Sequence, residues 1–368
     1  MKSWWRWAVT CVIAVTVVAT PYLVSARPLT EPDLTPAEIV AEVMRSADVP
    51  HTGLVRSSGS VQVPEADTFT SITTLFGEAN RVRVWWQDDE RWRLDRIRST
   101  GETDLFHDLR GTLRLRWVYE SGRVRISPPA PVRLPDTSDV LPDTLARRIL
   151  QGAGPDELSS MPSRRIAGRA GAGLRLTPST EQSSIDRVDL WVDPESGIPL
   201  RVEVYAGSAR PTLSTSYERL DLGDPPAGTL DFDPPASADV DFEELPDLAA
   251  ESNQLAPYVA PPRLAGLPLR ADRPDLPTGA VGVYGRGPTV LLFLPLRGNA
   301  SRPLREQLST MAGSTPGEAG TAVDLGPISA LVTPSRYRGS GFLLMGTVTP
   351  QTLEGAAAEL ADLEPTFP

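Results

Sequence analysis

His51 and His107 are the two histidines of the chain, and histidine is the side chain that most readily exchanges a proton near neutral pH. His107 is the stronger candidate for chemistry, because Asp104 and Asp108 lie close to it in the sequence. A carboxylate beside an imidazole can form a proton-transfer dyad or part of a metal site. A tetrahedral zinc site needs more ligands than this segment offers. We therefore predict that His107 is a strand residue at a surface or pocket rim.

The remaining side chains argue against an enzyme. Lys2 is the only lysine and Cys11 the only cysteine, so the body of the chain supplies no Schiff-base lysine, phosphate-loop lysine, thiolate zinc ligand or disulfide. No serine stands in a Gly-x-Ser-x-Gly elbow. The glycine-rich run 168–173 is followed by a strand-like segment instead of a helix, which disfavours phosphate binding. We expect no catalytic residues, no cofactor and no metal.

Length and charge narrow the class of protein further. A chain of 368 residues is long enough for about two domains, and its 37 prolines favour strands, turns and stiff linkers over long helices. The formal net charge of -11 provides no attraction to nucleic acid or to anionic membrane surfaces. Composition therefore predicts a strand-rich protein that does not bind nucleic acid.

Residues 1–26 have the pattern of an export signal. Lys2 and Arg6 precede an apolar run over residues 8–18, and Val24-Ser25-Ala26 carries the small residues of a signal-peptidase site. The chain is therefore predicted to be exported. Whether residues 1–26 are a cleaved signal peptide or a retained membrane anchor stays open, because the apolar segment is roughly the shortest that can span a bilayer.

Apolar and charged residues alternate in three short segments between residues 81 and 119, and turn residues separate them. This pattern is typical of antiparallel hairpins with one apolar face. The alternation assigns to that face Val82, Val84, Trp86, Trp92, Leu94, Leu113, Leu115, Trp117 and Tyr119. If each strand keeps its register, the opposite face is wet and carries Arg81, Arg83, Arg91, Arg93, Arg114 and Arg116.

A second hairpin extends the apolar face. Turn residues 193–197 separate the strand-like segments 185–192 and 200–205. This hairpin adds to the face Val188, Leu190, Val202 and Val204. Short helices are predicted over 36–46, where Thr35 and Glu38 can form a capping box, and over 143–150.

Domain organisation follows from a change in composition. Residues 27–220 hold the alternating strands, and residues 221–261 are rich in acidic residues and proline, which indicates a solvated linker. A calcium site in that stretch is disfavoured, because it lacks the regular spacing and glycine of a calcium loop. Residues 262–368 contain buried-strand patterns at 289–294 and 341–346 and a capped terminal helix, which predict a smaller α+β domain.

Several of these segments carry a resemblance to a known family. They are the N-terminal helix, the Gly53 strand, Trp85-Trp86 through Trp92-Arg93-Leu94-Asp95 to Trp117-Val118-Tyr119, and the hairpin from Leu190 to Glu203. In them the chain resembles the superfamily of periplasmic lipoprotein carriers LolA and LolB and the sigma-E regulator RseB (MucB). The second domain, with Tyr284 and strands 289–294 and 342–345, is similar in placement to the small C-terminal domain of RseB.

The resemblance implies an α+β fold, in which an unclosed antiparallel half-barrel has helices in its concave side and is followed by a smaller α+β domain. It also implies a cavity for acyl chains, which the thirteen apolar residues assigned above would line. None of the family's residues is catalytic. The partners it implies are lipid or lipoprotein acyl chains, or an anti-sigma factor or membrane transporter.

Two functions therefore remain in competition, and an exported enzyme is disfavoured. The preferred hypothesis is a lipid- or lipoprotein-binding protein that acts as a carrier or envelope sensor. The alternative is a protein-binding regulator of a membrane partner that has no lipid ligand. Large aromatics such as Trp86 and Trp92 can either fill the half-barrel or line a cavity, and both arrangements bury similar apolar area.

Overall fold

The structure is a computed structural model that describes residues 32, 34–60, 75–99, 101–108, 113–127, 135–242, 258–270, 279–311, 313–335 and 340–365. The export signal predicted over residues 1–26 lies outside this part. No helix in the described ranges combines the length and apolarity that a bilayer crossing requires.

The first part of the chain forms one large open sheet. Its strands are β1 (His51–Gly59), β2 (Ala79–Asp88), β3 (Arg91–Arg98), β4 (Gly101–Asp108), β5 (Leu113–Val118), β6 (Arg123–Ser127), β7 (Leu158–Ile166), β8 (Arg169–Leu176), β9 (Arg187–Val192), β10 (Pro199–Tyr205), β11 (Leu213–Leu222) and β12 (Asp239–Phe242). Within the described ranges they pair in the order β12-β6-β5-β4-β3-β2-β1-β11-β10-β9-β8-β7. All pairs are antiparallel except β12 with β6. Because β12 and β7 stand at opposite ends of this order, the sheet is unclosed, and the predicted fold class is confirmed.

Two short helices lie against one face of this sheet. Helix α1 (Pro36–Arg45) begins with the predicted capping box, in which Thr35 N donates to the Glu38 carboxylate over 2.8 Å and Glu38 N donates to Thr35 Oγ1. Helix α2 is Pro142–Leu150. Both helices pack their apolar residues on the sheet beside Leu190 and Val202. We call this side of the sheet the inner face and the opposite side the outer face.

A second, smaller unit follows. Its elements are β13 (Arg263–Leu264), β14 (Leu267–Pro268), β15 (Gly282–Arg286), β16 (Thr289–Leu296), α3 (Gly298–Ser309), β17 (Ser314–Gly317), β18 (Gly320–Asp324), β19 (Ser329–Val332), β20 (Gly341–Gly346) and α4 (Pro350–Glu359). Six of the strands form a sheet in the order β15-β16-β20-β19-β18-β17. Tyr284, Phe293, Phe342 and Leu353 of α4 fill its core. The predicted strands 289–294 and 341–346 are confirmed, whereas the domain boundaries stay a prediction.

The two units are in direct contact. Arg286 at the end of β15 donates to the carboxylate of Glu157, with 2.6 Å between Nη1 and Oε2. Glu157 also accepts hydrogen bonds from Gly154 N and Ser179 N. Burial acts to raise the pKa of Glu157, but these hydrogen bonds and Arg286 outweigh it and lower the pKa. A buried carboxylate of the large unit therefore contributes one of the contacts between the two units.

The acidic stretch predicted as a linker takes part in the large sheet. Strand β11 extends to Leu222, and β12 pairs in parallel with the edge strand β6, so that Asp239 lies opposite Arg123. We call residues 223–242 the strap, because they run from the end of β11 to the far edge of the sheet. Composition predicts only that such a stretch is solvated, whereas the open edge of β6 offers backbone hydrogen bonds that give part of it a strand conformation.

Candidate functional site

The inner face carries an apolar floor across β2 and β3. In the strand register Val84 lies opposite Leu94, and Trp86 lies opposite Trp92. These four residues and Val82 are at most 5% exposed. The rings of Trp86 and Trp92 are stacked with centroids 5.7 Å apart, and Trp86 Nε1 donates to Ala47 O just after α1. The five residues share the inner face, as the alternation predicts.

The second hairpin continues this floor. Val202 lies opposite Leu190, Val204 lies opposite Val188, and all four side chains are buried. The register runs on through β11, β1 and β2, which places these four on the same face as Val82. They form one core with the helices, which contribute Ile39, Val43, Ala146, Ile149 and Leu150. The inner face is therefore covered by α1 and α2 on this side of the sheet.

Strand β5 departs from the prediction. Arg116 lies opposite Leu105 and therefore on the inner face, whereas Leu115 and Trp117 lie on the outer face. Tyr119 belongs to a 3-10 turn after β5 and is 53% exposed, and the side chain of Leu113 lies outside the described part of the chain. The assignment of Leu115 and Trp117 to one face with Val82 is wrong, and Tyr119 packs against Trp117, with ring centroids 5.5 Å apart. Alternation groups the residues of one strand, but only the pairing with β4 decides which group points inward.

Arginines border the floor as a consequence of this register. Arg116 is on the inner face of β5, and Arg96 of β3 lies opposite Val82 on the same face. Burial lowers the pKa of Arg96 to about 10, and the nearby charges of Arg98 and Arg116 act in the same direction. The Nε of Arg96 is buried and has no hydrogen-bond partner among the described residues. The sequence analysis missed this basic border, because it placed Arg116 on the wet face.

His51 is part of the core beneath α2. Its Nδ1 lies 2.8 Å from Val49 O, its Nε2 lies 2.9 Å from the hydroxyl of Tyr217, and its ring is stacked on Trp86. Burial is the main cause that lowers the pKa of His51. This environment gives His51 a packing role. His107 is a half-buried residue of β4 with its ring 4.7 Å from that of Trp92, in keeping with the predicted strand position.

The outer face holds a cluster of carboxylates that the sequence analysis did not identify. Asp95 and Asp104 occupy paired positions on β3 and β4, and Arg93 donates to both, over 2.7 and 2.8 Å. One carboxylate oxygen of Glu102 lies within 4.8 Å of both of them. Burial, followed by the charge of Asp95, raises the pKa of Asp104 to about 7. The sequence contained a signal for this cluster, because Asp95 and Asp104 stand at positions that pair when β3 and β4 form a hairpin.

This cluster predicts a pH dependence of stability. Between pH 3.8, the ordinary pKa of the carboxyl group, and about 7, folded Asp104 keeps a proton that the unfolded chain has released. The free energy of unfolding should therefore fall by a few kcal/mol, about the scale of such a shift, as pH rises through this range and level off above it; burial raises the pKa of Asp95 too, so the proton is shared by the pair. Asp104→Asn should remove most of this fall in urea unfolding followed by tryptophan fluorescence. Glu90→Gln, at an exposed turn, is the control and should keep the fall with pH. If the unfolding free energy of Asp104→Asn falls with pH as steeply as that of the wild type, the prediction is wrong.

Comparisons with known proteins find structural neighbours of low sequence identity. No protein-family model and no curated protein sequence matches the chain. MucB in complex with MucA(peri) is similar over 91% of this chain and 100% of that chain, at 17% identity and a TM-score of 0.45. The Pseudomonas aeruginosa MucA/MucB structure covers 90% of this chain and 98% of its own, at 16% identity and a TM-score of 0.44.

A LolA superfamily protein from Nitrosomonas europaea covers 54% of this chain and 98% of its own, at 14% identity and a TM-score of 0.25. In the fold alone, the chain is similar to these MucB and LolA superfamily structures. The predicted resemblance is confirmed at this level, and identities this low concern the fold alone. The open sheet with helices on its inner face is the feature of this chain that corresponds to the half-barrel implied by the resemblance.

Proposed function

We propose that this chain is an exported, non-enzymatic protein that binds lipids or lipoproteins and acts as a carrier or envelope sensor. The observation that carries the proposal is the order of residues across the inner face. Leu94, Leu105 and Arg116 are consecutive neighbours on three adjacent strands, so an apolar floor passes directly into a basic border. An amphiphile with apolar tails and an anionic group fits this order.

Acyl chains of a ligand can reach the apolar floor only if α1 or α2 moves away from the sheet. Helix α2 has features that favour its displacement. Both carboxylate oxygens of Asp143, Thr144 Oγ1 and Arg147 Nη1 are buried without a hydrogen bond among the described residues, and only a long ion pair of 3.9 Å joins Asp143 to Arg147. A buried polar group that makes no hydrogen bond costs about 1–3 kcal/mol, and the ion pair offsets part of this cost for Asp143 and Arg147. Arg147 Nη2 donates to the exposed Asp89 over 3.3 Å, and its Cζ lies 5.4 Å from the ring centroid of Trp86. A tail that displaces α2 would rehydrate these groups while it covers the floor again.

The test is a titration of a fluorescent fatty acid into the purified chain, followed by competition with unlabelled fatty acids of increasing length. Affinity should rise about fourfold for each added methylene, equivalent to about 0.8 kcal/mol, until the site is full. Leu94→Trp fills the floor and should weaken binding about tenfold or more. Arg96→Gln should weaken binding of the fatty acid but not of the corresponding alcohol, because only the acid carries a charge.

Arg83→Gln is the matched control, since Arg83 adjoins Val84 in β2 but lies on the outer face and pairs with Glu102. Its affinity for the fatty acid should equal that of the wild type. The lipid proposal fails if the folded wild type shows no saturable binding. It also fails if Arg83→Gln abolishes binding while Leu94→Trp leaves it unchanged.

A protein-binding regulator is the second candidate, and the filled floor favours it. Val43 of α1 and Leu94 and Leu190 of the floor are fully buried by the protein's own side chains. In this reading the half-barrel is a closed scaffold, and its partner is an anti-sigma factor or a membrane transporter. A folded wild type that binds no fatty acid but captures a membrane protein by crosslinking in its own envelope selects this candidate.

A further inference from the structure

We propose that the outer face beneath the strap is a docking site for an extended, acidic segment of a partner protein with an aromatic residue between carboxylates. The strap, residues 223–242, occupies this site within the same chain. The proposal goes beyond lipid binding, because the floor proposed for acyl chains lies on the other face of the sheet. Three independent features of the strap and of the outer face beneath it define the chemistry of the segment that fits.

Two aromatic side chains of the outer face, Phe106 and Trp117, form a cup that binds the centre of the strap. Phe106 of β4 and Trp117 of β5 both lie on the outer face. Phe232 of the strap packs against them, with ring centroids 5.0 Å from Phe106 and 5.9 Å from Trp117. Both receiving side chains are only 6% exposed. Aromatic side chains buried in this way contribute most to the affinity of extended peptides.

Charge complementarity surrounds the cup. Between residues 223 and 242 the strap has five aspartates and no basic residue. Asp231 pairs with Arg91 over 2.6 Å, and the backbone oxygen of Thr229 accepts from Arg93 over 3.4 Å. The Nε of Arg91 is buried and has no hydrogen-bond partner in the described part of the chain. A partner carboxylate that reaches both nitrogens of Arg91 would therefore bind better than Asp231 does.

The edge of the sheet supplies the third feature. Strand β12 adds to β6 in parallel over four residues, and Asp239 lies opposite Arg123, with 3.6 Å between Oδ2 and Nε. Strand addition of this kind is a common way to bind extended peptides, because the backbone provides affinity and alternate side chains provide selectivity. The same edge would accept a strand from another protein once β12 has left it.

The strap is held weakly enough to be exchanged. The side chains of Asp231 and Asp239 are 68% and 73% exposed, and exposed ion pairs add little stability. Most strap residues are exposed, and four of them are proline. The strap nevertheless occupies the site because both belong to one polypeptide, which gives the strap an effective concentration on the order of millimolar. A free segment competes only if it binds more tightly or if the anchor is weakened.

The experiment uses a fluorescein-labelled synthetic peptide with the sequence of residues 223–242. It is titrated into the full chain, and binding is followed by anisotropy. Phe232→Ala weakens the internal competitor, so this variant should bind the peptide about tenfold or more tightly than the wild type does. A peptide in which Phe232 is replaced by alanine should bind the Phe232→Ala chain about tenfold more weakly than the unchanged peptide does. In the Phe232→Ala background, Arg91→Gln should weaken peptide binding, and Arg81→Gln, on the same face but paired with Glu218, should not.

Circular dichroism confirms folding, and Asp231→Asn provides a second weakened strap if Phe232→Ala unfolds. The proposal is overturned if neither variant binds the peptide saturably, or if peptide binding is unchanged both by the Phe232→Ala substitution in the peptide and by Arg91→Gln in the chain. Dimers of the wild type that exchange straps would assign the site to a second copy of the chain and overturn the partner claim. Fatty-acid binding should be the same in Phe232→Ala and the wild type, so the two proposals fail separately.

Discussion

Replacing Trp86 by alanine is expected to lower the free energy of unfolding by about 3–5 kcal/mol. Trp86 is 1% exposed and lies at the centre of the inner face, stacked on Trp92 and beneath Arg147 of α2. Its Nε1 also donates to Ala47 O, so the substitution leaves a cavity and removes the hydrogen bond that links the sheet to the end of α1. Urea unfolding monitored by far-ultraviolet circular dichroism measures the loss.

Trp85→Ala is the matched control, because the two tryptophans are adjacent in β2 but point to opposite faces. Trp85 is half-buried on the outer face, and the guanidinium of Arg93 lies 5.1 Å from its ring centroid. Its removal should lower the free energy of unfolding by about 1 kcal/mol, because it removes a partly exposed cation–π contact and a small buried apolar area. Equal losses for the two variants would show that the assignment of faces in β2 is incorrect.

Gly197→Ala is expected to destabilise the chain by about 2–5 kcal/mol. Gly197 closes the turn between β9 and β10 with a φ of 73°, a left-handed conformation that disfavours any other residue. A Cβ added there would lie 2.4 Å from Glu42 O of α1, and a backbone oxygen of a helix cannot move away without shifting the helix. Hydrogen exchange should show faster opening of α1 in the variant.

Gly207→Ala separates the two causes. Gly207 also has a left-handed φ, of 63°, but a Cβ there would meet no atom within 4 Å. In this variant the free energy of unfolding should fall only by the cost of the left-handed conformation, about 1–2 kcal/mol, and hydrogen exchange in α1 should be unchanged. If both glycine variants show the same loss and the same exchange in α1, contact between the turn and α1 contributes nothing to stability.

Local patterns predicted most of the elements correctly. The capping box at Thr35 and Glu38 is a short-range signal, and the helix it predicts is present. Alternation in β2 and β3 and the turn at residues 193–197 likewise depend only on neighbours in sequence, and both hairpins form as predicted. These patterns predict antiparallel hairpins, whereas the unclosed form of the sheet was implied only by the resemblance to LolA and RseB.

Long-range pairing decided what the local patterns could not. Leu115, Trp117 and Arg116 alternate as expected, but the pairing of β5 with β4 turned the aromatic side outward and the arginine inward. Trp117 is nevertheless buried, because Phe232 of the strap covers it. No periodicity in β5 carries information about a residue so distant in the chain.

The sequence by itself determined which residues alternate and where helices begin and turns close, because each of these depends on residue type and near neighbours. Only the tertiary structure decided which side of β5 faces the helices, that Arg96 and Arg116 border the apolar floor, and that the acidic stretch forms a strap across the outer face. These features arise from strand register and from contacts between distant segments. A shift of one residue in register reverses every side chain of a strand while the local pattern stays the same.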